Sequence, residues 1–212
     1  AVAQQWTTFG DGGQYRLIKD DAVNMRYSQE ITAKTEAGIF QGPQNIIAGE
    51  KYVGSIYARG KGELIVGLRN ANGHFVARQS LGKVGKEWKK YEFTLEPLVS
   101  IDGNFAIAVK NGTIQVDMVT MTTQTGKNLG GFRPDILQAV KELQPTCLRW
   151  PGGGYVAQYD WKWGIGPQEN RERWAHWMWM DYDQNCFGTD EFIRFCREIN
   201  SEPIIVVSVK FE

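Results

Sequence analysis

The stretch Thr146-Cys147-Leu148-Arg149-Trp150-Pro151-Gly152-Gly153-Gly154 decides how the chain is read. Its first five residues predict a short buried strand, and a proline followed by three glycines breaks that strand abruptly. Upstream, Pro134 opens a segment in which Ile136, Leu137, Val140 and Leu143 share one helical face, and Pro145 stops it. Downstream, Thr189 or Asp190 is placed to cap a second helix with a core face of Phe192, Ile193, Phe195, Cys196 and Ile199. Pro203 to Val209 then reads as a strand buried on both sides, as in a parallel sheet. Helix, strand, helix, strand is the rhythm of an α/β fold. Between the first strand and its following helix lie about 38 residues, 151 to 188, far more than the few usual for such a connection. That loop leaves the C-terminal end of a parallel strand, where α/β folds collect their sites.

The residues before this region follow a different period. Over 1–122, apolar and polar side chains alternate: Tyr52, Ile56 and Ala58 in one run, Leu64, Val66 and Leu68 in the next, then Tyr91, Phe93 and Leu95. Asn111-Gly112, between Phe105-Ile107-Val109 and Ile114-Val116-Met118, predicts a hairpin turn, and Asn70 to Gly73 predicts another. Short strands at regular spacing predict a β-sandwich of jelly-roll type over 1–122. The polar, glycine-containing stretch 123–128 reads as a linker, and 129–212 as a second domain.

Composition bounds the function. The chain has 212 residues, enough for two small domains, and both Lys plus Arg and Asp plus Glu number 24. With no net charge and no block of like charge, nucleic acid and membrane surfaces are not expected partners. No apolar run approaches the roughly 18 residues of a spanning helix. Cys147, Cys186 and Cys196 are an odd number with no close pair, and the histidines are His74 and His176 alone; neither a complete disulfide framework nor structural zinc is supported, and no metal or cofactor is expected. The opening Ala1-Val2-Ala3-Gln4 fits either a trimmed export signal or a cut within a longer protein.

Six of the eight tryptophans, 150, 161, 163, 174, 177 and 179, fall in or beside the long loop, with Tyr155, Tyr159 and Tyr182. Flat aromatic faces pack against the C–H face of a sugar ring; they equally give a long loop its own small core. Arg149, near a strand end, must pair with a carboxylate or point its donors into a cavity, because an unpaired buried charge is costly. Gly152, Gly153 and Gly154 let backbone amides approach a ligand, although without the lysine and spacing of a phosphate-binding loop. Glycoside hydrolysis needs two carboxyl groups flanking one bond. The loop offers Asp160, Glu169, Glu172, Asp181 and Asp183, and Glu212 follows, but spacing marks out none of them. His176 has no triad partner and no serine stands in a nucleophile elbow, so acyl transfer finds no support.

Several ordered motifs, Gly131-Phe132-Arg133-Pro134-Asp135, Leu148-Arg149-Trp150-Pro151-Gly152-Gly153, Tyr159-Asp160-Trp161, Gly164-Ile165-Gly166-Pro167 and Phe187-Gly188-Thr189-Asp190-Glu191-Phe192, resemble glycoside hydrolase family 51. The resemblance covers about 80 residues, and the best-known members are α-L-arabinofuranosidases. It implies that this region is part of a (β/α)8 barrel, its two strands being the second and third, and that 1–122 is the carbohydrate-binding-type sandwich some members insert after the first. It also implies that Arg149 shapes a sugar subsite together with the glycine run, and that Trp179 lines it. Gly154 stands where the family often has Asn or Cys, which removes a polar side chain. The family's acid/base and nucleophile glutamates lie on the fourth and seventh barrel strands, so no catalytic residue is expected in this chain, and Glu212 matches neither.

Such a barrel needs about 250 residues, and two strands cannot close one. Their apolar faces would stay open. The chain is therefore expected to be a portion of a retaining glycosidase completed by further barrel segments or another chain, acting on arabinose-containing oligo- or polysaccharide, with a homo-oligomer also open. The alternatives are an endo-β-glucanase of the same family, or a non-catalytic carbohydrate-binding module using an aromatic such as Trp6 or Trp88.

Overall fold

In the computed structural model the described residues are 1–176 and 180–209. The chain divides into two compact units, Ala1–Gln124 and Thr125–Glu212. The first contains β1 (Thr7–Phe9), β2 (Gln14–Lys19), β3 (Tyr27–Ile46), β4 (Tyr52–Arg69), β5 (Phe75–Val84), β6 (Lys89–Leu95) and β7 (Ile101–Thr123). All pairings among them are antiparallel.

The strands are fewer and longer than the alternation alone suggests. Three of them, β3, β4 and β7, run for 20, 18 and 23 residues and bend at one common level. There the β3–β7 register shifts between Ala33 and Glu36, and the β4–β7 register between Lys61 and Glu63. Asn111-Gly112, expected as a hairpin turn, lies inside β7 at that bend, with Asn111 at φ 54°. The runs Tyr52–Ala58 and Leu64–Leu68 likewise belong to one strand, bent at Gly60 (φ 134°) and Gly62 (φ 147°). An Asn-Gly pair supplies left-handed backbone, which serves a bend as well as a hairpin; the continuation of β3 and β4 on both sides decides for the bend. The strands also cross too closely for side chains. A Cβ on Gly112 would stand 1.8 Å from the Lys61 carbonyl oxygen, and one on Gly60 would stand 2.3 Å from that of Thr113.

Each bent strand serves two layers. One layer is β2, the first half of β3, the second half of β7, the first half of β4, and β6; the other is β1, the second half of β3, the first half of β7, the second half of β4, and β5. Counting the halves and strands from β3 to β7 in chain order, the layers run first-eighth-third-sixth and second-seventh-fourth-fifth. That is the connectivity of a jelly roll, as expected. Residues from both sides of each bend, Ile31 and Ile39, Ile56 and Leu64, Ile107 and Ile114, meet in one buried cluster. The turn at Asn70–Gly73 is present, Gly73 N–H donating to the Asn70 carbonyl at 3.0 Å.

In the second unit the linker stretch is helical, α1 (Gln124–Asn128). Next come α2 (Pro134–Leu143), β8 (Cys147–Trp150), β9 (Trp174–His176), β10 (Asp181–Asp183), α3 (Thr189–Glu198) and β11 (Glu202–Ile205). Strands β8 and β11 pair in parallel, Arg149 opposite Ile204, with α3 between them in sequence, which makes the βαβ step of a partial (β/α)8 barrel. The hairpin β9–β10 lies inside the long loop and has no counterpart in the sequence reading.

Burial in this unit departs from expectation. Leu137 is buried and Val140 packs beside it on Phe132 and Ile199, but Ile136 and Leu143 are 48% and 78% exposed. The strand expected to be buried on both sides over 203–209 is short, and Ile204, Ile205, Val207 and Val209 are all exposed. Cys147 and Arg149 of β8 are exposed too. A parallel strand is buried only when neighbouring strands and helices cover it, and among the described residues β11 pairs with β8 alone. No helix among the described residues is long and apolar enough to cross a membrane.

Candidate functional site

The connection from β8 to α3 is held together from within. Trp150 stacks on Phe192 of α3 (5.9 Å between centroids) and meets Tyr159 edge-on at 5.1 Å. Tyr155 stacks on His176 at 5.0 Å, and Trp163 and Trp174 lie 5.6 Å apart. Most of the described aromatics therefore serve the loop's own core, whereas Trp161 is 41% exposed. A buried ion pair adds the polar anchor. Arg171 donates to Glu191 at 2.6 Å and also to the carbonyls of Gly166 and Asn185, while Glu191 accepts from the Gly188 amide at the start of α3. Burial alone would push the Glu191 carboxyl up; the Arg171 and Gly188 hydrogen bonds outweigh it and hold the group below its ordinary value of 4.5. Gly188, rather than Thr189 or Asp190, is the N-cap residue. It has no side chain because it touches Gly164, whose oxygen would stand 2.3 Å from a Cβ at 188.

At the C-terminal end of β8 a cavity of about 410 Å³ opens between Trp150, Pro151, Gly152, Tyr155, Asp183, Gln184, Cys186 and Phe187. Asp183 is its carboxylate among the described residues, accepting from the Tyr155 hydroxyl at 2.7 Å and the Asn185 amide at 2.8 Å. Burial and the neighbouring Asp183 push the Tyr155 phenol far up, so it remains a donor across the physiological range. Cys186 is exposed as a residue, and desolvation pushes its thiol's titration up, away from thiolate chemistry.

Of the residues singled out in the sequence, Gly152 lines this cavity and Arg149 stands beside it, a Cβ on Gly152 falling 3.2 Å from the guanidinium. Arg149 itself does not line the cavity. It is exposed and makes no ion pair or hydrogen bond among the described residues, so neither a carboxylate within the sheet nor this cavity takes its charge. Gly153 at φ 59° opens the 3₁₀ turn Gly153–Tyr155, and Gly154 is exposed within it. Trp179 and Glu212 lie outside the described residues. Sequence reasoning did not select Tyr155 or Asp183 from the loop's aromatics and acids, because their partnership spans 28 residues with no motif to signal it. Among the described residues no three His, Cys, Asp or Glu side chains are grouped to hold a metal ion.

The chain is thus a jelly-roll sandwich followed by part of a (β/α)8 barrel, with an arginine and glycines at the C-terminal end of β8. Residues 139–212 match the family described as Alpha-L-arabinofuranosidase 1 domain, in line with the likeness to glycoside hydrolase family 51. Alpha-L-arabinofuranosidase C of Emericella nidulans is 39% identical over 79 residues, 37% of this chain and 16% of that protein. The intracellular exo-alpha-(1->5)-L-arabinofuranosidase of Bifidobacterium longum is 42% identical over 79 residues, 37% of this chain and 14% of that protein. The chain thus spans about a sixth of these relatives. The arabinose-bound MgGH51 α-L-arabinofuranosidase structure aligns with a TM-score of 0.88 at 20% identity over 99% of this chain and 38% of that one, which shows a shared fold.

Proposed function

We propose that this chain is a portion of a retaining glycoside hydrolase that removes α-L-arabinofuranosyl residues from plant polysaccharides. The observation that carries the reading is Arg149 at the C-terminal end of β8, exposed and without an ion pair among the described residues, within the stretch that matches the arabinofuranosidase domain family. A guanidinium held there offers several fixed donors to sugar hydroxyls, and Gly152, Gly153 and Gly154 let a ring approach the backbone. Trp179 is assigned to the wall of the same subsite. A retaining mechanism needs an acid/base and a nucleophile carboxyl about 5–5.5 Å apart. Asp183 is committed to Tyr155 and Asn185, so both catalytic carboxylates are assigned to further barrel segments, which would also cover Ile204, Val207 and Val209.

The test is to assay the enzyme containing this chain on 4-nitrophenyl α-L-arabinofuranoside. Turnover is expected, and Arg149→Ala should lower kcat/KM by about 100-fold or more, the scale of losing a charged donor to the reacting sugar. An enzyme that hydrolyses β-glucan and releases no arabinose would contradict the reading; unchanged kinetics in Arg149→Ala would remove the role given to that residue.

A further inference from the structure

The bend of β7 carries a motif that the fold uses only in part and the barrel-derived site does not use at all. Asn111-Gly112-Thr113 is an Asn-X-Thr triplet, the acceptor sequence for N-linked glycans, and it is the one Asn-X-Ser/Thr triplet in the chain. Two of its residues are explained by packing. Gly112 lacks a side chain because a Cβ there would also stand 2.7 Å from the Gly62 Cα on the neighbouring strand. Thr113 pairs across the sheet with Thr32, hydroxyl to hydroxyl at 2.9 Å. Asn111 is explained by its backbone alone, which at φ 54° takes the left-handed conformation that asparagine tolerates. Its carboxamide is exposed and makes no hydrogen bond among the described residues, so glycine would serve the bend equally well.

The surroundings of Asn111 suit a bulky, solvated group. Lys34 and Thr35, in the β3 bulge between Ala33 and Glu36, are exposed, and so are Lys110 and Lys61, the latter opposite Thr113 in register. The bend therefore carries exposed polar side chains on all three long strands, while Ile31, Ile107 and Ile114 hold the buried cluster. A branched oligosaccharide on Asn111 would meet water and lysines and displace no apolar packing. The same packing fixes when such a group must arrive. Glycan transfer takes the threonine hydroxyl and the asparagine carboxamide together on a pliant chain. In the folded sheet that hydroxyl is engaged with Thr32, and Gly112 lies against Lys61 and Gly62.

We propose that Asn111 is an acceptor for an N-linked oligosaccharide, attached before β7 pairs with β3 and β4, when the chain is synthesised into a secretory compartment. The donor is an oligosaccharide joined through its anomeric carbon to a polyprenyl diphosphate. The Asn111 carboxamide nitrogen attacks that carbon and gives up one proton; an N–C bond forms, the C–O bond to the diphosphate breaks, and the polyprenyl diphosphate leaves with the bonding electrons. Nothing is oxidised or reduced, and the site is independent of the reading given to Arg149. The test is the intact mass of the 212-residue chain made in a eukaryotic secretory host behind a cleavable export signal. A mass above 24.0 kDa is expected, and peptide-N-glycosidase should remove the excess and leave aspartate at position 111. Thr113→Ala and Asn111→Gln should each lose the excess completely, and Thr113→Ser should keep it. Because transfer precedes folding, each variant is measured on secreted and retained chain together, folded or not. A chain that stays at 24.0 kDa, an excess that resists peptide-N-glycosidase, or one that survives Thr113→Ala and Asn111→Gln would overturn the proposal. Chain folded beforehand and then given to the transferase with its lipid-linked donor should stay unmodified; modification there would overturn the order of events.

Discussion

The two units differ in what their strands lean on. In the sandwich, three long strands fold back through a common bend, so that both halves of each cover the same core. Ile31, Ile56, Leu64, Ile107 and Ile114 are completely inaccessible to solvent. In the second unit, two short parallel strands have one helix between them in sequence; Leu148 of β8 packs on a buried cluster of Phe132, Leu137 and Ile199, while Ile204 and Ile205 of β11 are exposed. A jelly roll supplies both of its layers from one chain segment, whereas a βαβ step supplies a fraction of a sheet that is closed only by repetition. The difference teaches that stability in the first unit resides in sheet packing, and in the second within the loop.

The largest expected effect lies in the sandwich. Ile107→Ala deletes buried methyl and methylene groups at a fully enclosed position and should cost about 3 kcal/mol. Denaturant unfolding followed by far-ultraviolet circular dichroism measures it. The near-ultraviolet signal of the second unit's tryptophans should keep its midpoint; a joint shift would break the distinction between the units.

In the second unit the corresponding weak point is polar. Glu191→Ala removes the carboxylate hydrogen-bonded to buried Arg171, leaving Asp190 at 3.8 Å, and should cost the loop roughly 3 kcal/mol, seen as a lower midpoint of tryptophan fluorescence. The same pair fixes a pH response. Because the folded-state value of Glu191 is held below 4.5, its contribution is present above that pH and is lost as pH falls through the folded value. Glu191→Gln should flatten the acid limb of the fluorescence transition. An unchanged limb would mean that other carboxylates govern it.

The smallest effect is expected on the open face. Ile204→Ser, at a residue 46% exposed, should change the stability of this chain by less than about 0.5 kcal/mol. A loss of several kcal/mol would show that β11 is covered.

How much of this was legible in the sequence depended on whether the signal was local. Pro134 and Pro145 bracket α2, Phe192, Cys196 and Ile199 form the buried face of α3, and Asn70–Gly73 makes its turn, because backbone restriction and helical spacing are properties of adjacent residues. The bends at Gly60, Gly62 and Asn111-Gly112 look like turns in sequence and are recognised only through the strands that run past them. The Arg171–Glu191 pair and the Tyr155–Asp183 bond join residues 20 and 28 positions apart, with no periodicity to reveal them. Arg149 reads in sequence as a charge near a strand end; that no carboxylate among the described residues pairs with it is visible only in three dimensions.

The central claim, a closed sandwich followed in the chain by an open piece of barrel, is tested most directly by amide hydrogen exchange on this chain. The amides of β7 around Ile107 and Val109 should exchange only through global opening of the sandwich, and those of β8 and β11 orders of magnitude faster through local opening. Protection of β11 equal to that of β7 would contradict it.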